Sequence, residues 1–418
     1  MFEIQGTVTT AVCYAQTVED SAIEQIRRMC CYPLTAGSRV RIMPDVHAGK
    51  GCTVGTTMTV TDKVCPNIVG VDIGCGMYTV RLNERAIDLP TLDAAAHFIP
   101  SGMRVWEGRQ ERFDLTALRC FRALRDSRRL ERSLGTLGGG NHFIEADRAA
   151  DGTLYLVIHS GSRNLGKQVA EIYQQLAVDL HMGKEDYFKA RDEIIRTYKA
   201  AGRRAEIEGA LQALKRDFVT QALSVPADLC WLYGSFMADY LHDVEICQRF
   251  ACRNREKMAE ILLAHTGTTA ADAFHTIHNY IDTGEMILRK GAVAAHAGER
   301  LLIPINMRDG SILAVGRGNP EWNFSAPHGA GRVMSRARAK ETLDMEAYRA
   351  SMAGIYTTSV SAETIDEAPM AYKSLAEIEN AVRDAVEVVD VLKPIYNFKA
   401  AEDTPPWRRE KESTDNAS

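Results

Sequence analysis

At 418 residues, with 45% hydrophobic and 25% charged residues, the chain has the composition of a soluble globular enzyme and enough apolar side chains for a sizeable core. No apolar run approaches the ~20 residues of a membrane span, and MFEIQGTVTT lacks a basic leader and an apolar signal core, so a cytoplasmic enzyme without membrane association is expected. A net charge of −5 argues against nonspecific coating of nucleic acid, and ten scattered cysteines read as reduced thiols rather than a disulfide framework.

Taken in chain order, residues 1–100 alternate short β-type runs (39–43, 53–60, 77–82) with glycine turns. DGTLYLVIHS, 151–160, reads as a turn feeding a buried strand that ends at His159. From about 167 to 262 the period becomes helical: Val169, Ile172, Leu176 and Leu180 recur on one face, as do Ile207, Leu211, Leu214 and Phe218. The charged part of this insertion, 184–217, reads as a projecting helical hairpin. Strand-like runs return at 285–289 and 311–315, and a helix is expected over roughly 375–393. The polar tail 401–418 is expected to be disordered. No internal repeat or linker interrupts the chain, which points to one α+β domain over 1–400: a β-rich core surrounded by helices, with the helical insertion.

Charge is uneven. Nine arginines stand against five acids between Arg104 and Arg132, and a second cluster comprises Arg332, Arg336, Arg338 and Lys340. Helical surfaces carry such charges for solubility alone, so these patches gain meaning only as a phosphate track beside a site found by other means.

The chemistry concentrates in glycine-rich polar islands. In Val69-Gly70-Val71-Asp72-Ile73-Gly74-Cys75-Gly76-Met77, a carboxylate and a thiol stand three residues apart. A thiolate can serve two metal ions, and a carboxylate suits a harder cation such as Mn²⁺. Further islands are Gly135 to Glu145 with its triple glycine before Asn141-His142, then His159-Ser160-Gly161-Ser162-Arg163, and His275-Thr276-Ile277-His278-Asn279-Tyr280. Arg289 to Val293 and Pro327-His328-Gly329-Ala330-Gly331-Arg332 complete the set. A lone histidine is more often a hydrogen-bonded structural residue than a ligand, and His97, His181, His242 and His265 stay under that reading. His47, His275 and His296 are undecided. Asp72, Cys75, His142, His159, His278 and His328 together supply enough O, S and N donors for two metals. No zinc-finger spacing, HExxH, P-loop or GxSxG motif is present.

In this order, VGVDIGCGM, GTLGGGNHFIE, HSGSR, HNY, RKGAV and HGAGRVMSR resemble the motif series of the RtcB family of RNA ligases, over about residues 40–400. The resemblance implies an α+β fold and an enzyme that uses GTP and two Mn²⁺ ions. Such an enzyme joins RNA ends bearing a 3′-phosphate or 2′,3′-cyclic phosphate to 5′-hydroxyl ends, in RNA repair or tRNA splicing. It implies that Cys75 bridges the two ions, with Asp72 and His142 completing one ligand set and His159 and His278 the other. His328 would take GMP through a phosphoramidate. Asn141, Arg163, Asn279, Gly329, Ala330, Gly331 and Arg332 would border the nucleotide and its phosphates, and Glu145 would meet the guanine. Lys399, in Asn397-Phe398-Lys399-Ala400, stands where family members carry a base-contacting lysine. RNA and GTP are the implied partners, with room for an activating protein.

Pro304-Ile305-Asn306-Met307-Arg308 replaces the family's Pro-Gly-Ser-Met-Gly, and Pro327 replaces its serine. Both departures border the nucleotide phosphates in the family and suggest a divergent branch. The alternative is a metal-dependent phosphoesterase that opens cyclic phosphates without joining, and a third reading is a silent RNA-binding descendant. The polar groups retained at the candidate site speak against the last.

Overall fold

A computed structural model describes residues 1–399, and the expected disordered tail lies outside the described residues. Its β-structure forms two large sheets. One runs Phe2–Gln5, Thr10–Cys13, Val40–His47, Val54–Thr59, Ile287–Lys290, Asn279–Asp282. Every neighbouring pair in it is antiparallel except Thr10–Cys13 with Val40–His47. The other is antiparallel throughout: Ala270–Ile277, Gly76–Leu82, Leu154–Ser160, Phe143–Arg148, Val386–Lys399, Gly310–Gly316, Arg300–Asn306.

The second sheet curls until its outer strands meet, where Leu302 N donates to Thr276 Oγ1 at 3.1 Å and Arg300 pairs with Asp272. Side chains alternate across a strand, so one row lines the concave face. Met77, Phe143, Val157, Leu302 and Leu392 form its apolar part. His278 alone separates the edge strand of this sheet from the edge strand of the other, so the chain crosses between sheets at a candidate ligand.

Helices Arg163–His181 and Gly234–Thr266 cover the core with Leu165, Val169, Tyr173 and with Tyr240, Val244, Phe250. The expected hairpin is present as Glu185–Ala200 and Ile207–Asp217, neither of which has a buried residue. Two helices that the β-type reading of the first hundred residues missed are Asp20–Met29 and Leu89–Phe98.

The helix expected over 375–393 stops at Ala381, and Val386–Lys399 is a strand. Valines at 386, 388, 389 and 391 suit a pleated surface better than a helix, and pairing on both flanks, with Phe143–Arg148 and Gly310–Gly316, settles the conformation. The architecture is mixed α+β. No helix among the described residues is long and apolar enough to cross a membrane, and all ten cysteines are unpaired.

Candidate active site

Four turns deliver the donors. Cys75 precedes the strand Gly76–Leu82, and His159 is the penultimate residue of Leu154–Ser160, across the sheet from Met77. His142 stands just before Phe143–Arg148, and His278 at the sheet crossing. Asp72 folds back over Cys75: its Oδ1 accepts from Ser162 N at 3.0 Å. A Cβ at Gly161 would fall 2.1 Å from that oxygen, so only glycine admits the carboxylate.

The donors form a chain. Asp72 Oδ2 lies 3.1 Å from His142 Nε2, and Cys75 Sγ lies 3.4 Å from both His142 Nε2 and His159 Nε2. His159 Nε2 is 3.0 Å from His278 Nε2. The sulfur is therefore common to an Asp72–His142 side and a His159–His278 side. Two donors at 2.0–2.3 Å from one cation stand about 3.5 Å apart, and Cys75, His142 and His159 hold their ligand atoms within 4.8 Å of one another, close enough for one ion, with Asp72 and His278 adjoining at either end. His159 Nδ1 donates to Asn141 O at 3.1 Å, which leaves Nε2 as the bare lone pair facing the cluster.

Electrostatics agree with that reading. Burial pushes the His159 imidazole well below its ordinary range, helped by His142 and His328, and burial does the same to His278, helped by His328 and His159. Both stay neutral, the form a cation requires. Burial and then Asp72 raise the Cys75 thiol well above its usual value, so the thiolate needs a neighbouring positive charge. Burial, the largest single influence, would raise Asp72 too, but the His142 hydrogen bond and the charges of His142, Arg163 and His278 together outweigh it and hold the carboxyl below its usual value. His142 Nδ1 and His278 Nδ1 are buried without a hydrogen-bond partner among the described residues. A buried S, N, N, N set with a half-buried carboxylate oxygen, in these states, is one that divalent ions would satisfy.

His328 stands beside this cluster, its ring centroid 4.8 Å from that of His278. The short strand Ser325–Pro327 pairs with Ala292–Ala294 and aims it inward. Its Nδ1 is 2.6 Å from Asp45 Oδ2, and its backbone N donates to the same oxygen at 3.1 Å. Asp45 is fully buried at the inner end of Val40–His47. With Nδ1 occupied, Nε2 is the nitrogen left for chemistry.

A cleft of about 190 Å³ opens from His159 and His328. Asn141, Glu145, Lys399 and the 329–332 turn line it, as does the departing segment 304–307. Burial raises the Glu145 carboxyl to about 7, Lys399 and then Asn397 opposing the rise. Arg332 and Lys399 both bind Glu367, which Arg336 and Tyr372 also contact. Burial would raise Glu367, yet Lys399 and Arg336 hold it down at about 2.

Not every candidate lies in the cleft. Asn279 Oδ1 accepts from Gly291 N at 2.9 Å and so pins the turn beside His328. Arg163 lies on the Asp72 side instead, donating through Nε to Thr136 Oγ1 and through Nη2 to Gly102 O. His47 lines the cleft, with burial lowering its basicity. His275 binds Glu256 and His296 binds Glu285, while His97, His181, His242 and His265 bond to Thr358, the Trp231 amide, Asp243 and Ile261 O.

Sequence reasoning missed the residues that hold the turns. Arg255 Nη1 donates to Gly74 O at 2.8 Å and Ser160 O at 2.7 Å, each carbonyl adjoining a candidate ligand. Asn254 bonds to the Gly135 and Thr136 amides and to Gly161 O. Asp45 lies two residues before His47, ahead of the glycine-rich Ala48-Gly49-Lys50-Gly51; Glu367, Asn254 and Arg255 have no local motif at all.

Fold and site together define a mixed α+β protein with a Cys-His₃ donor cluster, buried and joined by a half-buried Asp, beside a cleft that carries a carboxylate-held histidine. The profile described as tRNA-splicing ligase RtcB matches residues 25–119 and 119–400. The chain belongs to the RtcB family. It is 31% identical to RNA-splicing ligase RtcB1 of Escherichia coli ATCC 25922 and, equally, to RNA-splicing ligase RtcB of strain K12, covering 91% of this chain and 95% of each relative. Identity to tRNA-splicing ligase RtcB of Aeropyrum pernix is 27%, over 82% of this chain and 84% of that protein.

Proposed function

We propose that this chain is an RNA ligase that joins 3′-phosphate or 2′,3′-cyclic phosphate ends to 5′-hydroxyl ends through a GMP–histidine intermediate at His328. The observation that carries the reading is the His328–Asp45 pair at 2.6 Å, set beside the donor cluster, whose His159 lines the same cleft. An imidazole held through Nδ1 by a buried carboxylate presents Nε2 in a fixed direction, as a nucleophile requires.

His328 Nε2 attacks the α-phosphorus of the substrate GTP; a P–N bond forms and the P–O bond to pyrophosphate breaks. Asp45 stabilises the positive charge that develops on the ring. An RNA 3′-phosphate oxygen then attacks the same phosphorus, the P–N bond breaks and its electron pair returns to Nε2. Finally the 5′-hydroxyl oxygen attacks the activated 3′-phosphate, its proton is lost and GMP departs. A cyclic phosphate must first be opened by water to the 3′-phosphate. Two Mn²⁺ ions would be held by Asp72, His142 and Cys75 and by Cys75, His159 and His278, and would supply charge neutralisation on the phosphates. Glu145 favours guanine over adenine, because its carboxylate can accept from guanine N–H groups that adenine lacks.

The test mixes a 3′-phosphate RNA with a 5′-hydroxyl RNA, GTP and Mn²⁺. A joined product that disappears in His328→Ala supports ligation. A cyclic-phosphate RNA opened but never joined would support the phosphoesterase instead.

A further inference from the structure

The arginine-rich run 104–132 is not absorbed by the cleft. Part of it borders a groove that shares no lining residue with the cleft. Two adjoining hollows, of about 290 and 280 Å³, share Arg129, Leu130, Asn164 and Lys167 and so form one groove. Arg125 stands at its outer end and Arg163 at its inner end. Its facing walls are stapled by Gln168, which accepts from Arg125 N and donates to Arg125 O.

The inner end touches the candidate centre. A Cβ built on Gly138 would come within 1.9 Å of Arg163 Nη1 and 2.5 Å of His142 Nδ1, so the guanidinium and the ligand imidazole flank one glycine. Arg163 anchors through Nε and Nη2, and its Nη1 has no hydrogen bond among the described residues. The nucleotide cleft reaches the cluster from the side of His159 and His328. The groove shares no lining residue with that cleft, so a strand in the one and a nucleotide in the other occupy separate hollows.

Charge fits a polyanion. Arg125, Arg129, Lys167 and Arg163 line the groove against two acids, Asp126 and Glu171. Asp126 is committed to capping its helix through the Arg129 amide, and Glu171 stands 3.9 Å from Lys167. Neither the Arg125 guanidinium nor its exposed neighbours Arg122 and Arg128 form an ion pair among the described residues. Elsewhere in the run Arg109 and Arg119 are offset by Glu131 and Asp239, whereas Arg125 at the groove's outer end has no such acid among the described residues.

We infer that this groove seats the phosphodiester backbone of the single-stranded RNA whose end is joined, with Arg125, Arg129 and Lys167 contacting successive phosphates and Arg163 receiving the terminal nucleotide. The inference rests on the ligase reading above. Contacts of this kind set affinity and its salt dependence without reading sequence.

The test is the double charge reversal R125E/K167E, at exposed positions outside the proposed catalytic machinery, with R204E/K215E on the helical hairpin as a control for bulk charge. GMP transfer to the protein needs no RNA and should be unchanged. Binding of labelled RNA, read by fluorescence anisotropy, should weaken tenfold or more with a shallower salt dependence, and KM for RNA in joining should rise in step. Oligonucleotides with a 3′-phosphate or with a 5′-hydroxyl run as separate arms, and loss in one arm identifies the strand in the groove. Unchanged binding in both arms, or equal loss in the hairpin control, would overturn the inference. Absence of GMP transfer and joining in the unaltered protein would instead remove the ligase reading.

Discussion

Asp45 Oδ2 holds both the Nδ1 and the backbone N of His328, at 2.6 and 3.1 Å, from a fully buried position on a different sheet strand. This double grip fixes the ring and the turn at once. Asp45→Ala should slow GMP transfer by about 10²–10⁴-fold, the range typical when a nucleophile loses its orienting group. Metal content should change little, because Asp45 Oδ2 bonds to His328 and to none of the candidate ligands. Single-turnover kinetics with labelled GTP measure this; a rate within threefold of the unaltered protein would dismiss the orienting role.

Arg255 ties the carbonyls beside Cys75 and His159 with one nitrogen. Groups that orient ligands typically cost about 10–100-fold in metal affinity when removed. Arg255→Met should therefore weaken Mn²⁺ binding in equilibrium dialysis by that factor. Unaltered affinity in a folded variant would show that the clamp is purely structural.

The close approach of Gly161 to Asp72 gives a sharper steric test. Gly161→Ala should displace the carboxylate and lower metal stoichiometry, whereas Gly209→Ala, with nothing within 4 Å of the added Cβ, should leave it unchanged. Elemental analysis of the two purified variants decides between a built carboxylate site and an incidental contact.

Glu145 predicts a pH dependence. Burial raises its carboxyl to about 7, so the acceptor form is lost as pH falls through that value. GTP affinity should weaken between about pH 8 and pH 6, and Glu145→Gln should bind weakly with a flat profile. Stability moves the other way. The folded chain binds this proton more tightly than the unfolded one, so the contribution is present at low pH and lost as pH rises toward about 7. Isothermal titration across this range reads the affinity; a flat profile in the unaltered protein would exclude Glu145 from the base site.

Much of the site was legible because its donors sit in glycine turns at strand ends, where a polar side chain has no ordinary packing role. Asp72, Cys75, His142, His159 and His278 do converge, although no spacing in the chain encodes that convergence; the curled sheet and its crossing at His278 create it. Asp45 lies within a strand that carries no motif of its own, and its partner is 283 residues away. Arg255, Asn254 and Glu367 act on carbonyls or charges brought close only by packing. The terminal strand was misread for a related reason: valines at 386, 389 and 388, 391 satisfy helical and strand periods alike, and only the two flanking strands choose.

The central claim is that His328 carries GMP. Incubation of the unaltered protein and His328→Ala with Mn²⁺ and α-labelled GTP or ATP, followed by denaturing electrophoresis, tests it most directly. The account predicts an acid-labile label from GTP on the unaltered protein and none on the variant. Label retained by His328→Ala, or absent from unaltered protein that binds manganese and joins RNA, would contradict it.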